Sequence, residues 1–209
     1  MIRLRLPVVV SLAVFVAAAA RGVEPATRPR MQRLEAAPSG DRPPSQRELV
    51  DAREAVDRRF RGLLAAADTA AGANAATAAL LEAAATEPDR AIKWHLLAEA
   101  RRLAAAAGNA AAVDRSIVMA DAAYEFDAVV EEQRTLREIP LRALDPARAT
   151  ALAEVAAGLA ERAEADGRPD AAADAWQLAI RGWQRAGDVA AARRAAIRLG
   201  EAAKQAGQR

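Results

Sequence analysis

Apolar residues recur along this chain at intervals of three and four, which is the spacing of one face of an α-helix. The clearest stripe is Ala172, Trp176, Ala179 and Trp183. Helices of this length are marginal alone in water, so each stripe must be buried against a neighbouring helix. Similar stripes are Leu49, Ala52, Val56, Phe60 and Leu63; Ile92, Leu96, Ala100 and Leu103; Val113, Ile117, Ala120 and Tyr124; Leu152, Val155, Leu159 and Ala163; and Val189, Ala192, Ala196 and Leu199.

Turn signals separate these stripes at nearly regular intervals. Gly167, Gly187 and Gly207 follow alanine-rich runs at a spacing of 20 residues. Glycine adopts the left-handed conformation that ends many helices, and Asp, Asn or Thr caps the next helix. Earlier signals at about the same interval are Asp68-Thr69, Pro88-Asp89, Gly108-Asn109, Asp127 and Asp145-Pro146. The pattern predicts one helix and one tight turn per unit, and therefore a helical hairpin about every 40 residues.

The predicted fold is all-α, with about eight helices in antiparallel hairpins stacked as a short α-solenoid. Ser45 and Glu48 have the spacing of a capping box and mark its start, and the domain extends over residues 45–209. Asp145 followed by Pro146 predicts a strong helix start. Pro140 ends the fifth helix early, which makes Ile139 to Leu144 the longest irregular connection.

Two segments precede the predicted domain. Residues 1–20 carry Arg3 and Arg5, then an apolar run that ends in small residues, which is the layout of a secretory signal peptide. The run is shorter than the ~20 residues that span a bilayer, which favours a cleaved leader over an uncleaved N-terminal anchor. We therefore expect export to the periplasm or cell envelope, with no integral membrane domain after cleavage. Residues 21–44 contain five prolines and some arginine, and predict a disordered or extended linker.

The series Gly167, Ala172, Trp176 and Ala179 resembles the glycine, alanine, aromatic and alanine positions of a tetratricopeptide-type repeat. The hairpin spacing of about 40 exceeds the ~34 residues of that repeat. In addition, Ala156 stands where a large residue is usual. The resemblance is therefore to the broader class of tetratricopeptide-like helical repeats. In composition, the chain also resembles alanine-rich helical domains of exported bacterial proteins.

Composition determines how the predicted core is filled. The hydrophobic fraction is 53%, but aromatic residues make up only 3% of the chain and alanine supplies much of the rest. Alanine buries little area and lets helix axes approach closely, so we expect a few large side chains to carry the stability. These are Phe60, Trp94, Leu96, Tyr124, Trp176 and Trp183. We interpret Trp176 and Trp183 as core residues; the alternative, which also applies to Trp94 and Tyr124, is partner binding.

Charge and cysteine content narrow the classes of function. Arg3 and Arg5 account for the whole formal charge of +2, and both signs are interspersed along the helices. A nucleic-acid-binding domain needs a basic stripe, so we expect no nucleic-acid partner. The chain has no cysteine, which excludes disulfides, thiolate metal sites and a lipid-modified cysteine anchor.

Candidate catalytic and metal-binding groups are sparse. His95 is the only histidine and lies four residues before Glu99, but a general base also needs a reacting partner within reach. Asp166, Asp170 and Asp174 are spaced by four, yet the turn at Gly167 interrupts the helical spacing. Phosphate-binding, dinucleotide-binding and zinc-binding signatures do not occur. We therefore expect no catalytic residues, no metal and no cofactor.

These observations predict a non-enzymatic, exported helical-repeat scaffold that binds a protein or peptide in the cell envelope. Helical repeats present extended surfaces that suit such binding. Three alternatives stay open: a structural or self-associating spacer module, a peripheral membrane-associated helical protein, and an enzyme with an unfamiliar site. The oligomeric state and the identity of the partner are also left open.

Overall fold

The computed structural model of this chain describes residues 41–208. The predicted signal peptide at residues 1–20 lies outside the described residues, and so do residues 21–40 of the predicted linker.

Eight α-helices joined by short turns make up the described part of the chain, and no β-strand occurs there. This confirms the predicted all-α architecture. The helices are α1 (Gln46–Ala65), α2 (Ala70–Thr86), α3 (Arg90–Ala106), α4 (Ala110–Asp121), α5 (Ala128–Glu138), α6 (Pro146–Ala165), α7 (Pro169–Ala186) and α8 (Val189–Ala206), with one 3₁₀ turn at Leu141–Ala143 between α5 and α6.

Side-chain caps begin most helices where the sequence predicts them. The hydroxyl of Ser45 accepts from the amide of Glu48, whose carboxylate accepts from the amide of Ser45 at 2.7 Å. Asp145 caps α6 ahead of Pro146. Each such bond satisfies an amide that the helix itself leaves unpaired. The other capping side chains are Thr69, Asp89, Asn109, Asp127 and Asp188.

Three of the glycine turns have the predicted left-handed backbone. Gly108, Gly167 and Gly187 have φ values of 70°, 67° and 83°. Gly207 differs, because its φ of −72° keeps it in the right-handed helical region. Three of the turns that set the hairpin spacing are therefore glycine-dependent, whereas the end of α8 is not.

Adjacent helices pack against each other along the chain, and the helices also contact their second neighbours. α1 packs on α3, α3 on α5 and α5 on α7, while α2 packs on α4 and α4 on α6. The odd-numbered and even-numbered helices thus form two layers of a short stacked solenoid. α8 packs on α7 at one end of this stack.

Two hydrophobic clusters fill the space between the layers. One joins α1, α2 and α3 with Tyr124, and the other joins α4 to α8 with the end of α3. Leu96, Tyr124 and Trp176 are buried, as predicted. Phe60, Trp94 and Trp183 are partly buried and pack against the clusters from the side.

The apolar stripes predicted for α3, α4, α6 and α7 face the interior. The prediction for α8 is wrong in part. Val189 is 60% exposed and Ala196 is also exposed. The buried side of α8 instead consists of Ala191, Ala192, Ala195 and Ala202. Because alanine occurs on every side of this helix, hydrophobic spacing does not fix its rotation. On α1, Leu63 is exposed and its neighbour Leu64 packs against the core.

Residues 41–44 belong to the predicted linker and contact the folded domain. The amide of Asp41 donates to the carbonyl of Ala123 at 3.2 Å, and its carbonyl accepts from Glu125 at 3.0 Å. Pro44 is buried. The segment that leads into α1 is therefore held against the loop between α4 and α5.

Substituting Gly182 with alanine tests the close packing of α6 on α7. A Cβ at Gly182 would lie 2.8 Å from the Cβ of Ala153 and 3.0 Å from the carbonyl oxygen of Ala149. Since these atoms belong to a packed helix, we expect Gly182→Ala to lower the free energy of unfolding by about 1–3 kcal/mol. Urea denaturation monitored by circular dichroism measures the change.

Gly158→Ala on α6 is the matched control, because no atom beyond the backbone of its own helix lies within 4 Å of its Cβ position. Here the better helix propensity of alanine should raise stability by up to about 1 kcal/mol. Equal changes in the two variants would contradict close approach at Gly182.

Candidate functional site

The outer surface of α3, α5 and α7 is a polar face, which we call the odd-helix face. Two ion pairs join its helices: Arg101 of α3 lies 2.9 Å from Glu131 of α5, and Arg137 of α5 lies 2.7 Å from Asp174 of α7. The second pair is about half exposed, whereas Arg101 is buried. The face consists of His95, Glu99, Arg102, Val130, Glu131, Arg134, Arg137 and Asp174.

An exposed valine lies among charges at the centre of this face. Val130 of α5 is 48% exposed. One turn further along, Arg134 donates two hydrogen bonds to Glu131, at 2.7 and 3.1 Å, and a third to Glu138 at 3.2 Å. These bonds hold the arginine along the helix surface. The arrangement presents one apolar patch bordered by both signs of charge.

His95 lies on the same face, where α3 approaches α1. Burial lowers the pKa of His95, while the neighbouring carboxylates of Glu99 and Asp57 raise it. Glu99 is engaged by Arg102, with hydrogen bonds of 2.9 and 2.5 Å that lower the pKa of Glu99. His95 is therefore a half-buried histidine in a charged surface, with the carboxylates of Glu99 and Asp57 nearby.

The three aspartates spaced by four do not converge. Asp174 pairs with Arg137, and Asp170 lies in the first turn of α7, where the helix dipole favours a negative charge. Within residues 41–208, no three His, Cys, Asp or Glu side chains are placed to hold a metal ion.

A bidentate pair fixes the start of α5 to the start of α7. Arg168 donates to the two carboxylate oxygens of Asp127 at 2.7 and 2.9 Å. These hydrogen bonds hold the pKa of Asp127 below its usual range. Because Asp127 also caps α5, the same carboxylate fixes the start of α5 and holds this helix end close to α7.

A buried carboxylate lies on the opposite side of α5. Glu132 is 1% exposed and accepts a hydrogen bond from Arg162 of α6. Asp114 of α4 lies 3.5 Å from the same guanidinium. Burial raises the pKa of Glu132 to about 7, and Asp114 adds to this effect while Arg162 opposes it. Two carboxyl groups therefore share one arginine between α4, α5 and α6.

The aromatic candidates lie in two separate places. Trp94 makes edge-to-face contacts with Tyr124 and Phe126, at ring-centroid distances of 4.9 and 5.5 Å. The hydroxyl of Tyr124 donates to the carbonyl of Arg90 at 2.6 Å, and burial raises the pKa of Tyr124 to about 12.

Trp176 and Trp183 belong to the other cluster, around α7. The structure thus shows core packing for these aromatic residues, and partner binding through any of the four stays a prediction.

Two cavities lie away from the odd-helix face. One of ≈ 390 Å³ is open between the starts of α1 and α3, next to Asp51 and Ile92. The other, of ≈ 230 Å³, lies beside Asn74, Asn109 and Arg148. Neither of these two cavities is lined by a residue of the odd-helix face.

No protein-family model, curated protein or solved structure matches the chain. Among residues 41–208, no helix combines the length and apolar character that crossing a bilayer requires. The fold and the site together define an all-α protein of stacked helical hairpins with a charged face.

Proposed function

We propose that this protein is a non-enzymatic scaffold that binds a protein or peptide along the odd-helix face. The observation that carries the proposal is the exposure of Val130 at the centre of a face whose helices are joined by ion pairs. An apolar contact surrounded by charged groups is the usual anatomy of a non-obligate protein interface.

The chemistry of the face indicates the kind of peptide that fits. Val130 offers an apolar contact, and Arg102 and Arg134 are each 62% exposed on neighbouring helices. Because carboxylates of the same face engage both arginines, a segment with an apolar residue flanked by charges of both signs matches it best. The resemblance of Gly167, Ala172 and Trp176 to tetratricopeptide-like repeats supports the same function, because helical repeats bind through extended surfaces.

Export to the periplasm or cell envelope is part of this proposal. It is supported by the charged start, apolar run and small residues of positions 1–20. Mass measurement of the protein from its host tests it, since cleavage would remove about 20 residues, and retention of the full leader would contradict it.

Peptides selected from a random library on the purified protein provide the binding test. We expect Val130→Asp to weaken the selected peptides about tenfold or more, because it places a charge at the centre of the contact. Val118→Asp on α4 is the matched control, since Val118 is 52% exposed and lies outside the odd-helix face. Isothermal titration calorimetry measures both affinities.

The control should leave affinity unchanged within about twofold. Equal weakening by the two substitutions, or no enrichment of peptides over the unfolded protein, would contradict the proposal. Circular dichroism melts of both variants separate loss of binding from loss of fold.

A further inference from the structure

Helix α5 is the shortest of the described α-helices, and polar side chains make up most of its buried side. It has 11 residues, and three of its five buried residues are Glu132, Gln133 and Thr135. The other two are Val129 and Leu136. Because a segment with few buried apolar contacts has low local stability, α5 depends on its polar contacts to stay in place.

The two connections that flank α5 are the longest between α-helices of the described chain. Residues 122–127 join α4 to α5, and residues 139–145, which include the 3₁₀ turn, join α5 to α6. Shorter turns join the other helices. The length of these two connections lets α5 move away from the stack while the helices before and after it stay in place.

Glu132 of α5 and Asp114 of α4 lie close enough to share a proton. Arg162 of α6 donates to one carboxylate oxygen of Glu132, and its guanidinium lies 3.5 Å from Asp114. The other oxygen of Glu132, Oε1, is buried and accepts no hydrogen bond from any described residue. A protonated Glu132 can instead donate to Asp114. Burial is the main cause that raises the pKa of Glu132, and this hydrogen bond adds to it.

Loss of that proton weakens the contact of α5 with α4 and α6. Two carboxylates then share the single guanidinium of Arg162, and like charges at a shared site repel each other. Oε1 of Glu132 also becomes a charged acceptor without a donor, which is costly in a protein interior. Exposing Glu132 to water relieves both costs.

The other charged groups on the helices around α5 are engaged elsewhere. Asp114 and Arg162 are the two charged residues that act on Glu132, and they come from α4 and α6. Charged groups of α3 and of the start of α7 pair with other residues of α5. These pairs are Arg101 with Glu131, Arg137 with Asp174, and Asp127 with Arg168. The last pair holds the first turn of α5, so opening concerns the turns that follow it.

We propose that α5 is a pH-controlled segment of this fold, which stays packed between α4 and α6 while Glu132 and Asp114 share a proton and opens locally when that proton is lost. Opening would break the ion pairs that join α5 to α3 and α7, so the same step takes apart the odd-helix face. The proposal rests on the packing of α5 and does not depend on peptide binding at that face.

Hydrogen exchange of the full chain, measured by mass spectrometry, tests the proposal. The readout is the protection factor of amides 131–138, which compares their exchange with that of an unstructured chain at the same pH. In the wild type this factor should fall about tenfold between pH 6 and pH 8. The reason is that burial raises the pKa of Glu132 to about 7, and each pH unit below that value changes the opening equilibrium by up to about tenfold.

Glu132→Gln cannot lose a proton, so its α5 protection should stay constant within about twofold over the same pH range. Glu138→Gln, at an exposed position of α5, is the matched control and should follow the wild type. A wild type that keeps its α5 protection at pH 8, or a Glu132→Gln variant that loses protection as the wild type does, would overturn the proposal.

Urea separates local opening from global unfolding. Local opening exposes little surface, so the protection of α5 should change little at low urea concentration, whereas the protection of amides 172–182 in α7 should fall as urea is added. We also expect α5 to be less protected than α7 at pH 8. Equal protection of the two helices with the same urea dependence would show that α5 opens only with the whole domain, and the proposal would be wrong.

Asp114→Asn tests the second carboxyl group and keeps the proposal testable if Glu132→Gln does not fold. Asparagine removes the like charge beside Glu132, so the fall in α5 protection between pH 6 and pH 8 should shrink to about threefold or less. A fall as large as that of the wild type would overturn the assignment of the shared proton to Asp114 and Glu132.

Discussion

Replacing Trp176 with alanine is expected to lower the free energy of unfolding by about 3–5 kcal/mol, the range for large aromatic residues in cores. Trp176 is 4% exposed and lies in the cluster shared by α6, α7 and α8. Its indole nitrogen donates to Glu164 of α6 at 2.8 Å. Glu164 also accepts from Arg198 of α8, whose guanidinium lies 5.8 Å from the ring centre of Trp176.

The size of this effect follows from the alanine-rich surroundings. Neighbours such as Ala160, Ala172 and Ala179 cannot extend into the space that the indole leaves. The cavity therefore stays, and the loss of buried area adds to the loss of contacts. Because Trp176 touches partners on α6 and α8, we expect α8 to lose protection first, which hydrogen exchange measures.

Trp183→Ala is the matched control on the same helix. Trp183 is only partly buried against the cluster, so its removal should cost clearly less, about 1–2 kcal/mol. Urea denaturation of both variants gives the comparison. A loss at Trp183 as large as that at Trp176 would contradict the expectation that the more deeply buried indole contributes more to stability.

Helices and turns follow closely from the sequence because their signals are local. Gly108, Asp145 and Gly187 act within a few residues of their own position, and each stands where a helix ends or begins. The rotation of α8 could not be predicted in the same way. With alanine on all sides, Val189 and Ile197 are exposed although both are apolar.

The odd-helix face could be predicted only in part. The ion pairs that join its helices connect residues 30 or more positions apart, Arg101 with Glu131 and Arg137 with Asp174. The spacing of residues in a single sequence does not predict such pairs. One signal was present for the buried carboxylate. Glu131, Glu132 and Gln133 are consecutive, so they cover about 200° of a helix. Because α5 packs on α3, α4, α6 and α7, at least one of these side chains must point toward a neighbouring helix.

The buried carboxylate Glu132 makes stability depend on pH, and we expect the free energy of unfolding to fall as pH rises from 4.5 to 7. Burial raises the pKa of Glu132 in the folded protein to about 7, from the 4.5 of an exposed glutamate. Between these values the folded state binds more protons than the unfolded state, so raising the pH favours unfolding. The loss is at most about 3 kcal/mol, because each unit of pKa shift corresponds to about 1.4 kcal/mol.

Glu132→Gln isolates this contribution, since His95 acts in the opposite direction. Its pKa is lowered in the folded protein, so it adds stability as pH rises just below its ordinary pKa. Both proteins contain His95, so any difference in how their stabilities change between pH 5 and pH 8 comes from Glu132.

The Glu132→Gln variant should lose less stability than the wild type between these pH values. The control Glu138→Gln, at an exposed position of α5, should behave like the wild type. Urea titrations at both pH values measure the unfolding free energies of the three proteins. If the wild type and Glu132→Gln lose equal stability between pH 5 and pH 8, the carboxyl group of Glu132 titrates normally. The cluster of Asp114, Glu132 and Arg162 would then be an ordinary salt bridge.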